Sequence, residues 1–148
     1  MMTLRYGHTR RRGSTLVEFA LLLPVLLAIL LGIVEFGWLI SRTYMVGNAT
    51  REGARYGALG RTISETKTRV INSASPVTLA ESHITLEYLN TATNTWASWP
   101  ADGGGRNSVP VDSQLRVKVV VPHISLTRFF PILNNRNIIQ YTVMRREL

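Results

Sequence analysis

The run Phe19-Ala20-Leu21-Leu22-Leu23-Pro24-Val25-Leu26-Leu27-Ala28-Ile29-Leu30-Leu31-Gly32-Ile33-Val34 holds only apolar residues, Gly and Pro. After Glu35 the pattern resumes as Phe36-Gly37-Trp38-Leu39-Ile40. A helix from Phe19 to Ile40 is about 33 Å long at 1.5 Å per residue, enough to cross a hydrocarbon core of roughly 30 Å. Its Leu, Ile, Val and Phe side chains up to Val34 together favour insertion by on the order of 5 kcal/mol. One acid at Glu35, near the far end, does not cancel that. The run exceeds the roughly 7–15 apolar residues of a secretory signal, and no Ala-x-Ala cleavage site follows it, so it reads as a retained membrane helix. Pro24 removes one helix hydrogen bond, which a membrane helix tolerates when neighbouring groups satisfy the freed backbone, and reads either as a simple kink or as a locally softened helix that packs against copies of itself or partners.

Working outward, Arg5, Arg10, Arg11 and Arg12 precede the run with no acid among them. Taking those four from the 17 basic residues leaves 13 against 9 acidic ones, so the formal +8 falls to +4. A nucleic-acid reader carries its basic stripe on a folded surface, so the charge does not predict nucleic-acid binding. Arginines abutting the helix predict an N-terminus inside and the C-terminal part exported, although Arg42, Arg51 and Arg55 on the far side weaken the asymmetry. The chain has no cysteine, which excludes a disulfide framework and a cysteine metal site. Its 148 residues leave roughly a hundred outside the membrane, room for one modest domain.

Beyond the span, Ala49, Gly53 and Gly57 recur every four residues, with Thr50, Ala54 and Ala58 beside them. This small-residue stripe suits close packing, either against the chain's own sheet or against another helix in an assembly. Gly60 suits a helix C-cap, and Thr62-Ile63-Ser64-Glu65 reads as a capping box opening a second helix that ends before Pro76. The period then changes to two. Segments 83–90, 114–121 and 137–144 predict three antiparallel strands, with Ile84, Leu86 and Tyr88, then Leu115, Val117, Val119 and Val121, then Ile139, Tyr141 and Val143 as their apolar rows. Asp102-Gly103-Gly104-Gly105 predicts a flexible loop, not a phosphate loop, flanked by Trp96 and Trp99, which read as cover for the sheet edge ahead of a surface contact. Phe129-Phe130-Pro131-Ile132-Leu133 is an apolar loop that either closes the core or stays exposed.

The expected fold is therefore α+β: a long N-terminal helix, membrane-spanning and then amphipathic, laid on a small antiparallel sheet. Four segments are expected: a basic leader (1–13), a transmembrane helix (14–40), a helical extracytoplasmic extension (41–75) and a small β domain (76–148). Phe19, Pro24, Glu35 and Ile40 mark the span. Glu35 is expected as a partly solvated acid near the outer interface, pairing with Arg42 or another chain.

Three arginines, Gly13, four residues, then Glu18 and Phe19 ahead of the apolar run form a compound pattern. Alone, Glu18 reads as a helix-start acid favoured by the dipole by roughly 0.3–1 kcal/mol. The whole pattern resembles the type III signal of type IV pilins. Leu16-Val17-Glu18-Phe19-Ala20-Leu21-Leu22-Leu23-Pro24, Gly32-Ile33-Val34-Glu35-Phe36-Gly37 and Asn48-Ala49-Thr50-Arg51-Glu52-Gly53-Ala54-Arg55-Tyr56 resemble the TadE-like pseudopilins of the Flp (tight adherence) pilus system. The resemblance covers about residues 10–60 and implies a pilin-like fold in a bacterial inner membrane. It implies cleavage by a prepilin peptidase after Gly13, with Ser14 as the new N-terminus. It implies that Glu18, with Phe19 after it, serves assembly by meeting the N-terminal amine of a neighbouring subunit. Partners would be the membrane, the peptidase, other pilin or pseudopilin subunits and the assembly machinery.

No cofactor, metal, nucleic acid or small-molecule substrate is expected. His8, His83 and His123 are isolated in sequence, and neither His-Glu-x-x-His nor Gly-x-Ser-x-Gly occurs, so no enzyme is expected. The rival reading is an uncleaved single-pass membrane protein with an extracytoplasmic binding domain.

Overall fold

One unbroken helix, α1 (Arg12–Ala58), forms the spine of the protein and carries Pro24 within it. At 1.5 Å per residue its 47 residues extend about 70 Å, more than twice the hydrocarbon thickness of a bilayer. The computed structural model describes residues 12–127, 129, 131, 134 and 136–147, with side chains from residue 15 onward. Between Thr15 and Val34 most side chains of α1 are exposed, among them Leu16, Phe19, Leu21, Leu22, Leu26, Ile29 and Ile33. From Glu35 on, the same helix becomes progressively buried by the rest of the chain. The sharp change divides α1 into a bare apolar half and a packed half.

The packed half ends as its sequence dictates. Gly60 adopts φ +78°, its N–H bonds the carbonyl of Gly57 at 2.9 Å, and the Arg61 N–H reaches back to Tyr56 at 3.2 Å. This is a Schellman close, and only glycine takes that φ without steric cost. Thr62 and Glu65 then form the expected reciprocal capping box, and α2 (Ile63–Ser73) begins. Asp102 also accepts from the Ile63 N–H at 3.0 Å.

A four-stranded antiparallel sheet follows, of strands β1 (Ile84–Asn90), β2 (Thr95–Ser98), β3 (Gln114–Pro122) and β4 (Asn137–Arg145), in the order β2-β1-β3-β4. The architecture is α+β, with α1 laid across β3 and β4. β2 is an addition to the expected three strands. It is four residues long, too short for an alternating pattern to declare itself. Trp96 lies within it, and its ring receives the Arg116 guanidinium at 4.1 Å.

β4 corrects the expected facing. Ile139, Tyr141 and Val143 are exposed, whereas Ile138 is buried and Gln140, Thr142 and Met144 turn toward α1. The register explains it. Val119 faces Gln140 and Val121 faces Ile138, and directly paired residues share a face of the sheet. The buried row of β3 therefore sets the parity of β4, and counting apolar residues along β4 alone picks the wrong side.

The core joins Val46, Ala49, Ala54 and Ala58 of α1, Val70 of α2, Ile84 and Leu86 of β1, and Leu115, Val117 and Val119 of β3. The small-residue stripe makes this closeness possible. A Cβ on Gly53 would stand 2.2 Å from Cγ2 of Val70, and one on Gly57 would stand 2.4 Å from Cη2 of Trp99. Of the two uses open to Ala49, Gly53 and Gly57, the structure displays packing within the chain. The glycine loop is likewise tied down. Gly104 and Gly105 take φ +59° and +74°, and Asn107 behind them donates to the carbonyls of Gly57 at 3.0 Å and Arg61 at 2.8 Å.

Candidate functional site

The N-terminal signal lies on the bare half of α1. Gly13 and Ser14 sit in its first turn, and their surroundings, like Arg10 and Arg11, lie outside the described residues. Glu18 and Phe19 are exposed on the helix, Phe19 at 58%. A carboxylate at that level is displayed to whatever surrounds the helix. The apolar side chains above it, through Val34, are displayed in the same way.

Glu35 departs most from expectation. It is fully buried, and its partners are Leu126 and Thr127 of its own chain rather than Arg42. Residues 123–127, just after β3, fold against α1 and surround the carboxylate with donors. The Leu126 N–H reaches Oε1 at 3.0 Å, the Thr127 N–H reaches Oε2 at 3.0 Å, and the Thr127 hydroxyl donates to Oε2 at 2.9 Å. Nε2 of the buried His123 lies 3.4 Å from Oε1. A buried carboxylate is tolerated only when its lone pairs are met in this way. Arg42, two turns further along α1, points its guanidinium at the carbonyls of Pro122 and Ile124, each at 3.5 Å. The loop is thus fastened to α1 at two levels, Glu35 and Arg42. A groove of about 360 Å³ opens beside it, lined by Trp38, Arg42, Val77, Val121, Ile124 and Leu126 among others. Nothing local in the sequence announces this latch, because its partners lie 88 to 92 positions apart.

Further along, Glu52 ties α1 to α2. It accepts from Arg55 Nη2 at 2.9 Å and from Arg69 Nη2 at 2.6 Å. Those two guanidinium groups hold its pKa down at about 2, and Glu52 in turn raises that of Arg55. The Thr62 backbone and hydroxyl lower Glu65 through the capping box. The Arg69 guanidinium also lies 5.0 Å above the Tyr56 ring.

A helix apolar enough to cross a membrane, bare below Glu35 and wrapped above it by an α+β domain, is the arrangement of a single-pass membrane protein. The family described as TadE-like protein matches residues 13–55, a segment that holds Gly13, Glu18, the span and the first part of the small-residue stripe. That family belongs to the setting of Tad/Flp pilus systems at a membrane. The match ends before α2 and the sheet. No curated protein and no solved structure matches the chain.

Proposed function

We propose that this chain is a minor pilin or pseudopilin, a structural subunit in assembly of a Flp-type pilus, and not an enzyme. A prepilin peptidase cuts after Gly13, Ser14 becomes the N-terminus, and Glu18 becomes the fifth residue of the mature chain. The observation that carries this reading is the TadE-like match beginning at residue 13, where Arg10-Arg11-Arg12-Gly13 meets Glu18-Phe19 and the apolar run. The physics supports a role for Glu18 in assembly. A carboxylate among apolar helices is costly unless paired, and the amine of a neighbouring Ser14 is a suitable partner. Because the small-residue stripe is occupied inside the chain, the surface left for lateral packing with copies is the bare half of α1, from Thr15 to Val34.

The test is the intact mass of the protein from cells with an active prepilin peptidase. A chain beginning at Ser14 is expected; a full-length chain returns the protein to the rival reading of an uncleaved membrane-anchored domain. In the same cells Glu18→Ala should insert normally and abolish or sharply reduce piliation. Normal piliation would reduce Glu18 to a helix-start acid.

A further inference from the structure

The loop after β3 sits at a depth that the bilayer itself occupies. The level of the outer membrane boundary can be read from the exposed side of α1. Phe36 is 52% exposed and Ile40 55% exposed, and Tyr44 follows at 69% as the kind of aromatic that favours the membrane–water interface. From Glu18 to Ile40 the helix rises about 33 Å, against a hydrocarbon core of roughly 30 Å. The apolar surface of α1 therefore continues past Glu35 by more than one turn. Yet the loop is fastened at Glu35 below and Arg42 above, a separation of about 10 Å along the axis. Its lower end lies beneath the level of Ile40.

The loop's own surface matches that depth. Ile124, Leu126 and Phe129 are 60%, 57% and 54% exposed, large apolar side chains turned outward on the segment that touches the span. In water three such groups exposed on one short loop are unfavourable; against acyl chains they are not. The backbone is suited to the place as well. Irregular backbone survives at membrane depth only where its polar groups are satisfied by protein. Here the Leu126 and Thr127 N–H groups are satisfied by Glu35, and Glu35 is satisfied by them. The latch thus accounts for an acid in the span and an irregular loop beside it at once.

We propose that residues 123–127, with Phe129, form a lipid-embedded foot: a second membrane contact that enters the outer leaflet beside α1, held to the helix by Glu35, with Ile124, Leu126 and Phe129 facing the acyl chains. The occupant of this surface is lipid, because the surface is continuous with that of the span. The foot fixes the β domain's height and tilt against the membrane. The proposal rests on α1 crossing a bilayer and is independent of cleavage or piliation.

The chain has no cysteine, so single-cysteine labelling is clean. Leu126→Cys and Ile124→Cys each carry a fluorophore in full-length protein reconstituted in phosphatidylethanolamine–phosphatidylglycerol vesicles. Both changes keep the backbone donors of the latch. Leu26→Cys, on the bare half of α1, marks the bilayer interior, and Val111→Cys, exposed at the other end of the sheet, marks water. Lipids with a quencher high on the acyl chain should quench positions 124 and 126 several-fold more than 111. Lipids with a deep quencher should favour 26. Quenching at 124 and 126 no greater than at 111, with 26 still quenched, overturns the foot and leaves the span intact. A blue-shifted but unquenched label at 126 means a second copy covers the loop, which also overturns it. Absence of quenching at 26 removes the span and the foot together.

Discussion

At the scale of single residues, two acids on one helix have opposite surroundings. Glu35 is met by backbone and hydroxyl donors from a loop, whereas Glu52 is gripped by two cations from its own helix and the next. Glu52 gives the clearer pH signature. Its folded pKa of about 2 lies below the ordinary 4.5, so the stability it confers is fully present above pH 4.5. That contribution is lost as pH falls from about 4.5 toward 2, where the folded protein must also take up the proton. Glu52→Gln should therefore lower the melting temperature at neutral pH and flatten its decline on acidification. The measurement is thermal unfolding followed by tryptophan fluorescence in detergent, at a series of pH values. Equal acid sensitivity in the variant and the parent would mean that Arg55 and Arg69 do not grip Glu52 in solution. The partial exposure of the cluster keeps the expected loss small, about 1 kcal/mol or less, as for surface pairs generally.

Among the elements, what was legible in sequence is what is local. The span, the Gly60 stop, the Thr62–Glu65 cap and the parities of β1 and β3 each rest on residues within one or two turns, and each stands in the structure. The Glu35 latch, the facing of β4 and strand β2 all depend on partners brought together by topology, and short-range patterns carry no trace of them. The small-residue stripe lies between these cases. Its spacing declares a close approach, but only Val70 and Trp99 reveal what approaches. A prediction follows from the clearance. Ala in place of Gly within a helix gains about 0.5–1 kcal/mol, but overpacking a filled core costs typically 1–3 kcal/mol. At Gly53 the second effect wins, since Val70 stands where the new methyl must go; at Gly37 nothing lies within 4 Å. Gly53→Ala should therefore unfold more readily and Gly37→Ala should not, as measured by denaturant titration in detergent. If both variants match the parent, the contact between α1 and α2 is looser than drawn.

For the whole molecule, the question is how the chain comes to lie across the membrane in one sense. The folded protein engages its outer arginines: Arg42 with the carbonyls of Pro122 and Ile124, Arg51 with Asn48, Arg55 with Glu52. Those contacts cannot guide insertion, because the loop that meets Arg42 is made only after the span. At insertion the arginines act as bare charges, with Arg5, Arg10, Arg11 and Arg12 on one side and Arg42, Arg51 and Arg55 on the other. On the orientation expected from charge, the inner set prevails through the three that abut the helix. Replacing Arg10, Arg11 and Arg12 by Asn leaves Arg5 against three, so the balance should reverse, and a sizeable fraction of chains should insert with the β domain inside. A C-terminal reporter active only outside the cytoplasm, together with protease protection, reads that fraction directly. An inverted chain would also carry Gly13 on the wrong side for cytoplasmic cleavage, so loss of processing should track loss of reporter activity. If the variant keeps its orientation, the outer arginines never competed, and the sense of insertion is set by the apolar run and the exported domain rather than by charge.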